Sequence, residues 1–228
     1  LAVLVDDYDS RLGMPVGRGG HTAHDLVVRH EAGAVALPLD AAHVPELGTG
    51  AVGLAAMMAG RISGCTKVIG IDIVDSRLEL AKELGATDVI NSKGIDVVKA
   101  VQDLTGGYGV DWAVDTTGVT KVMEDSIKVL AQGGTTATIA VTPNHIDVDT
   151  WNDLCVNDKK IVGVNMGDSI PQVDIPRLID FYKMGVFDFD KTEKFYKFDQ
   201  INEANADSRS GKTIKPVLVI DEDYKPGE

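Results

Sequence analysis

The sequence is poor in cysteine: its 228 residues contain two, Cys65 and Cys155. Two cysteines exclude a disulfide framework, and they exclude any zinc site built from three or four thiolates. Such sparse use of cysteine is typical of proteins from a reducing compartment, so we expect a cytoplasmic location. Cys65 follows a predicted helix, where a small core residue is a more common role than a nucleophile.

Basic residues are also outnumbered, since 22 Lys and Arg face 35 Asp and Glu and give a formal net charge of −13. A surface this acidic repels phosphate backbones and anionic lipid headgroups, so nucleic acid and membrane are poor candidate partners. The sequence has no run of about 18 apolar residues that would span a membrane. One anionic cofactor is still compatible with this charge, because a helix N-terminus binds phosphate without charged side chains.

From about residue 48 the hydrophobic pattern alternates between strands and helices. The predicted strands are residues 67–74, 87–91, 110–115, 135–141, 161–164, 195–198 and 214–220, and the predicted helices are 52–63, 76–84, 95–104, 119–131, 175–184 and 201–208. Ser76 and Glu79 fit a capping box at the start of the second helix. The alternation predicts an α/β fold with a doubly wound, Rossmann-type parallel sheet. Two β-like runs, 26–28 and 34–37, precede it.

A G-x-G-x-x-G motif, formed by Gly48, Gly50 and Gly53, opens the first predicted helix. In a dinucleotide site the first glycine makes the tight turn, the second lets the backbone approach pyrophosphate, and the third allows close packing of helix on strand. Alone the motif is weak, because an ordinary glycine-rich turn in a chain with 24 glycines also produces it.

An acidic residue at the expected distance strengthens the dinucleotide interpretation. Asp72 lies 19 residues after Gly53 (72 − 53), at the end of a predicted strand. A carboxylate there accepts hydrogen bonds from the adenosine ribose and repels a 2′-phosphate, which favours NAD over NADP. An ordinary turn aspartate is the alternative role for Asp72, and Asp75 is a nearby rival for the ribose.

The strand that should precede the glycine motif is not visible in the sequence. Residues 41–47 contain Pro45 and no continuous apolar run. Central strands of parallel sheets are apolar, and proline removes a donor from the backbone ladder. We therefore expect the first strand to be missing.

Histidine gives little indication of a metal site. His21 and His24 form an H-x-x-H pair, but cysteine or acidic ligands at metal-binding spacing are absent around it, so ordinary surface or packing roles are favoured.

Four segments, residues 48–93, 110–118, 167–191 and 198–218, resemble the zinc-type medium-chain alcohol dehydrogenases, especially the aryl-alcohol dehydrogenase-like members. The resemblance implies an oxidoreductase that transfers hydride between a small alcohol and NAD, with aryl alcohols among the candidate substrates. It also implies a division into residues 1–47, a remnant of the family's β-rich GroES-like catalytic domain; 48–186, the NAD-binding Rossmann domain; and 187–228, a segment returning to the catalytic domain.

The resemblance assigns cofactor-binding roles to nine positions. They are the glycine-loop residues Gly48, Gly50, Val52 and Gly53, the ribose acceptor Asp72, the basic residues Arg77 and Lys215, and the strand-end residues Thr117 and Val141.

The chain departs from that family at its zinc sites. The family's catalytic zinc is held by a cysteine, a histidine in a Gly-His-Glu motif and a second cysteine, and none of these motifs occurs here. We therefore expect no metal ligands and assign no catalytic residue. The second zinc cysteine and the first Rossmann strand would both fall between Leu47 and Gly48, so the chain resembles a truncated, mis-spliced or decayed member, inactive and less stable than a complete relative.

Two other hypotheses stay open. One is a noncatalytic NAD-binding remnant, and the other is a Rossmann methyltransferase, whose cofactor also uses a glycine loop and an acid after the second strand. The long resemblance through residues 110–218 argues against the methyltransferase. The oligomeric state is not fixed by the sequence, and a homo-oligomer is among the states left open.

Overall fold

The computed structural model describes residues 43–221 and Asp223. The chain divides into two compact units, Leu1–Phe187 and Asp188–Glu228. The two β-like runs predicted at 26–28 and 34–37, and the pair His21 and His24, lie outside the described residues. The three-part domain division of the sequence analysis stays a prediction.

The first unit contains a six-stranded, fully parallel sheet with the order β3-β2-β1-β4-β5-β6. The strands are β1 (His43–Leu47), β2 (Lys67–Asp72), β3 (Asp88–Asn91), β4 (Val110–Asp115), β5 (Leu130–Thr138) and β6 (Lys160–Gly163). The helices are α1 (Ala51–Ile62), α2 (Asp75–Glu83), α3 (Val97–Leu104), α4 (Thr120–Lys128) and α5 (Pro171–Lys183). This strand order is that of a doubly wound Rossmann sheet, so the predicted fold class is confirmed. Among the described residues no helix is long and apolar enough to cross a membrane.

The expectation that the first strand is missing is wrong. His43–Leu47 forms β1 in the centre of the sheet, where five residues pair with β2 and where Glu46 and Leu47 also pair with Val114 and Asp115 of β4. The expectation was based on Pro45 and on the lack of an apolar run in residues 41–47. The central place in the sheet is nevertheless occupied by this segment, because its backbone pairs with β2 and β4. Pro45 lies opposite Ile69 of β2, and the ladder with β4 begins one residue later, so the proline is not part of that ladder.

The capping box predicted at Ser76 and Glu79 is also wrong. Helix α2 begins at Asp75 after Val74, no side chain caps it, and Ser76 lies inside its first turn. The carboxylate of Asp72 accepts from the backbone N–H groups of Ile73 and Val74, and the helix starts two residues earlier than the capping box required, with Val74 rather than Ser76 at the N-cap. Side chain to backbone bonds of this kind compete with a serine cap.

The apolar core lies between the sheet and its helices. Ile69 and Ile71 of β2, Val110 and Ala113 of β4, and Leu130 of β5 are buried in one cluster. Gly70 faces the opposite side of β2, where it lets α1 pack closely, because a Cβ there would lie 3.3 Å from both Met57 of α1 and Val89 of β3. Burial of such side chains stabilises the sheet by roughly 1.5–3 kcal/mol each.

Gly109 fixes the start of β4 against the start of β5. Its φ is +85°, and a Cβ at this position would lie 2.5 Å from the carbonyl oxygen of Val129. The N–H of Gly109 donates to Oγ1 of Thr105 at 3.1 Å, and the next residue, Val110, donates to the same Val129 oxygen at 3.0 Å. Both backbone conformation and space therefore require glycine here.

The second unit is a small strand–helix–strand motif. Strands β7 (Glu193–Lys197) and β8 (Lys215–Val219) pair in parallel, and α6 (Ile201–Ser210) connects them. Asp207 of α6 accepts from Lys212, Tyr196 and Lys194 at 2.8–3.1 Å, and these three donors lower the pKa of its carboxyl to about 2. The ionised carboxylate thus ties the helix to β7 and to the turn before β8.

Replacing Gly109 with alanine should lower the free energy of unfolding by about 3 kcal/mol, because strain at positive φ adds to the overlap with Val129. The matched control is Gly107→Ala, where φ is +87° but no atom lies within 4 Å of the new Cβ; its cost should be about 1 kcal/mol. Urea unfolding followed by tryptophan fluorescence measures both, since Trp112 and Trp151 lie in the first unit. Equal losses for the two variants would contradict this account.

Candidate cofactor-binding site

The candidate site lies at the carboxyl edge of the sheet. The strand order reverses between β1 and β4, and crevices at such points, outside the carboxyl ends of the strands, are where doubly wound folds bind ligands. The glycine loop follows β1, Asp72 ends β2, Asp115 ends β4, and the loop after Thr138 follows β5. The sheet therefore brings most of the sequence-predicted positions of the first unit to one edge.

The glycine loop presents an open backbone surface. Gly48 has φ +117°, and its carbonyl oxygen accepts from the N–H of Gly50 at 2.8 Å, which closes the tight turn. Gly50 caps α1 without any side-chain hydrogen bond, and the first turn of that helix contains no acidic residue. A Cβ built on Gly50 would meet no atom within 4 Å. The first N–H groups of a helix have no intrahelical acceptor, so this surface suits a pyrophosphate.

Asp72 is held tightly at the end of β2, where its residue is 8% exposed. One carboxylate oxygen, Oδ1, accepts from the N–H groups of Ile73 and Val74 at 2.7 and 3.0 Å. The other, Oδ2, accepts from the N–H and the hydroxyl of Thr49 at 2.8 and 2.5 Å. Burial opposes ionisation, but the hydrogen bonds outweigh it and hold the pKa of Asp72 below its usual value. The group is therefore a carboxylate at neutral pH.

Arg77 lies beside this carboxylate, in the first turns of α2. Its Nη1 is 3.9 Å from Oδ2 of Asp72, and its Nε is buried without a hydrogen-bond partner among the described residues. Asp75, the rival acid, is exposed and accepts from the side-chain amide of Asn91 at 2.5 Å. The geometry favours Asp72 over Asp75 as the acid of the glycine loop.

A second buried carboxylate, Asp115, orders the loop after β4. It is 1% exposed and accepts from the N–H and hydroxyl of Thr117 at 3.0 and 2.8 Å and from the N–H of Gly118 at 3.1 Å. Within the same loop, the hydroxyl of Thr116 donates to the carbonyl oxygen of Gly48 at 3.0 Å. This bond ties the β4 loop to the glycine loop across the point where the strand order reverses.

The loop after β5 closes on the same region. The carbonyl oxygen of Gly118, whose φ is +65°, accepts from the hydroxyl of Thr142 at 3.0 Å and from the side-chain amide of Asn144 at 2.8 Å. Val141 is fully exposed and lies three residues beyond the end of β5, not at the strand end that the sequence indicated. The strand starts earlier than predicted because Leu130 already pairs with Val110, and its last paired residue is Thr138, opposite Asp115 of β4 and Gly163 of β6.

Known proteins with a similar sequence are dehydrogenases. A family model described as a zinc-binding dehydrogenase matches residues 51–184. The geraniol dehydrogenase of Castellaniella defragrans is 38% identical over 176 residues, which are 76% of this chain and 47% of the relative. The chain belongs to the zinc-binding dehydrogenase family. The alcohol dehydrogenase resemblance in the sequence is thereby confirmed.

Solved structures of the dehydrogenase family superpose on the chain. Benzyl alcohol dehydrogenase from Acinetobacter calcoaceticus shares 39% identity with a TM-score of 0.77, covering 85% of this chain and 54% of that structure. An alcohol dehydrogenase zinc-binding domain protein from Burkholderia ambifaria shares 42% identity with a TM-score of 0.73, covering 86% and 50%. The chain spans about half the length of the curated relatives it matches.

Because the family is named for zinc binding, the described residues were compared with the ligand set that a zinc ion needs. In the part of the chain that the structure describes, no three His, Cys, Asp or Glu side chains come together in a way that could hold a metal ion. The residues present there do not fit a zinc site. Lys215 begins β8 in the second unit. The cofactor-binding roles predicted for Lys215 and for the other eight positions stay predictions.

A cavity lies elsewhere, at the amino edge of the sheet. It has a volume of about 450 Å³ and is lined among others by Tyr108, Lys128, Gln132 and Lys159. Lys159 donates to the carbonyl oxygen of Ile127, and burial holds its pKa below the usual value against the opposing effect of Asp153. Since Asp72 is at the opposite edge, this cavity is not part of the candidate cofactor site.

Sequence reasoning missed three residues of the site. Thr49 and Thr116 carry its decisive hydroxyl contacts, yet their partners are 23 and 68 residues away, and only the sheet order brings them close. Asp115 had a local signal, because an aspartate followed by Thr-Thr-Gly at a strand end is typical of a turn in which the side chain accepts from the backbone.

Asp115→Asn should lower the free energy of unfolding by about 1–3 kcal/mol, because an amide NH₂ would replace one acceptor and leave a buried donor unsatisfied. The matched control is Asp103→Asn, which removes an exposed ion pair with Lys99 and should cost about 0–1 kcal/mol. Urea unfolding provides both values. A loss for Asp115→Asn no larger than that of the control would show that the carboxylate does not organise the loop.

Proposed function

We propose that this chain supplies the NAD-binding site of an alcohol dehydrogenase that interconverts a small alcohol and its carbonyl compound. The observation that carries the proposal is the ionised Asp72 held directly beside an uncapped, unobstructed glycine loop. A carboxylate recognises a ribose diol, and the start of a helix recognises pyrophosphate, so the pair fits the adenosine diphosphate half of NAD.

Different residues of the carboxyl edge would bind different parts of NAD. The backbone of Gly50 and the first turn of α1 would hold the pyrophosphate, with the space above Gly50 leaving room for it. Asp72 would accept from the adenosine ribose, and Arg77 would lie at its rim. The Asp115 loop, tied to Gly48 through Thr116, would border the crevice that leads toward the nicotinamide.

The bound nicotinamide supplies the hydride acceptor of the reaction. With NAD bound, the chemistry available would be the two-electron oxidation of an alcohol to a carbonyl compound, with a hydride passing to NAD and a proton released. The relatives named for geraniol and benzyl alcohol support an alcohol substrate, of the aryl type in the second case. No residue of this chain is assigned to proton transfer, so a noncatalytic NAD-binding role stays the alternative, and turnover of benzyl alcohol with NAD distinguishes the two.

NAD rather than NADP is the proposed cofactor. The carboxylate of Asp72 is ionised at neutral pH, and a 2′-phosphate on the ribose would approach it directly. Like charges within a few ångströms in a buried site repel strongly. Arg77 is the one cation beside Asp72 in the described part of the chain, but it already faces this carboxylate at 3.9 Å.

The chain should bind NADH at least tenfold more tightly than NADPH, as measured by fluorescence titration of the reduced nicotinamide. Asp72→Asn removes the charge without changing the shape, so NADH should bind about tenfold more weakly and the preference over NADPH should shrink. A tenfold change corresponds to about 1.4 kcal/mol, within the range for hydrogen bonds to charged groups.

The control is Asp75→Asn, which alters an exposed acid three residues away and should leave both dissociation constants within about twofold. A thermal melt of each variant establishes that it is folded. Equal or tighter binding of NADPH by the unaltered chain would contradict NAD preference, and absence of binding for both nucleotides would contradict the proposed function.

A further inference from the structure

We infer that Thr49 sets the affinity of the site for NAD, because its hydroxyl occupies the acceptor on Asp72 that the ribose needs. The inference rests on the proposed function, since the ribose diol belongs to NAD. It concerns the second residue of the glycine motif, a position whose side chain the G-x-G-x-x-G pattern leaves free.

The acceptor capacity of Asp72 is fully used without a ligand. A carboxylate offers about four lone-pair sites, and the four donors in place are the N–H groups of Thr49, Ile73 and Val74 and the hydroxyl of Thr49. A ribose hydroxyl that donates to this carboxylate must therefore displace one of them.

Three of those donors are not free to move away. The N–H groups of Ile73 and Val74 belong to the turn between β2 and α2, and the N–H of Thr49 belongs to the glycine loop. The hydroxyl of Thr49 is a single rotor, so it is the donor that yields with the least rearrangement. It donates to Oδ2, the oxygen on the side of the glycine loop and of Arg77.

Displacement has a cost, because the Thr49 side chain is fully buried. Its residue is 0% exposed, so a hydroxyl turned away from Asp72 does not find bulk water directly. Hydrogen bonds to charged acceptors are among the stronger ones, and leaving a buried donor without a partner weakens binding. The free chain is thus stabilised by a contact that bound NAD replaces, and this lowers the affinity for NAD.

Removing the hydroxyl should therefore strengthen NADH binding. Thr49→Val keeps the shape of the side chain, frees one lone pair of Oδ2 for the ribose and should lower the Kd for NADH about tenfold. Thr49→Ser keeps a hydroxyl and should bind within about twofold of the unaltered chain. A purely structural role for Thr49 predicts the reverse, since damage to the loop weakens binding.

A double-mutant cycle assigns the effect to Asp72. The tighter NADH binding of Thr49→Val should vanish in the Asp72→Asn background, because that background has no carboxylate to accept from the ribose. NADH fluorescence titration measures all four proteins, and thermal melts should show Thr49→Val less stable without NADH but shifted further upward by saturating NADH than the unaltered chain.

The outcomes separate this inference from the proposed function. Equal or weaker NADH binding by Thr49→Val, with the unaltered chain binding NADH, would overturn the role of Thr49 and leave the NAD site standing. A gain that persists in the Asp72→Asn background would also overturn it. Absence of NADH binding in the unaltered chain and in Thr49→Val together would overturn both.

Discussion

The pairing of β1 between β2 and β4 is the constraint on which the rest of the structure depends. Because Leu47 is paired on both sides, with Ile71 and Asp115, the chain leaves the sheet at a fixed point and enters the glycine loop there. That exit point places Thr49 within hydrogen-bond distance of Asp72 and Gly48 within reach of Thr116. A shift of β1 by one residue would move the loop by about 3.3 Å and break both contacts.

Two buried aspartates, one at the end of β2 and one at the end of β4, order the loops of the candidate site. Asp72 and Asp115 each accept several hydrogen bonds from loop backbone and threonine hydroxyls, and neither is exposed by more than 8%. A buried charge is tolerated only when such donors compensate its lost hydration. The same donors fix the loops that would surround NAD, so the stability of the edge and the preorganisation of the cofactor site have one physical origin.

The sequence was sufficient for the fold class, most strands and helices, the glycine loop and Asp72, because these features repeat with a local period or at a known spacing. It was insufficient for β1, whose proline and polar residues hide a strand that only its two neighbours define. It was also insufficient for Thr49 and Thr116, since their contacts depend on the order of strands far apart in the chain. The capping box failed because the carboxylate of Asp72 fixed the turn before Ser76 could cap it.

Hydrogen–deuterium exchange of the β1 amides tests the central position of that strand most directly. Val44, Glu46 and Leu47 carry the amides to follow, because Pro45 has none, and Val68–Ile71 of β2 provide the internal reference. A strand bonded on both sides opens only when the sheet opens. The account predicts that Leu47 exchanges as slowly as the β2 amides; exchange of Glu46 and Leu47 as fast as that of the turn at Gly106–Gly107 would contradict it.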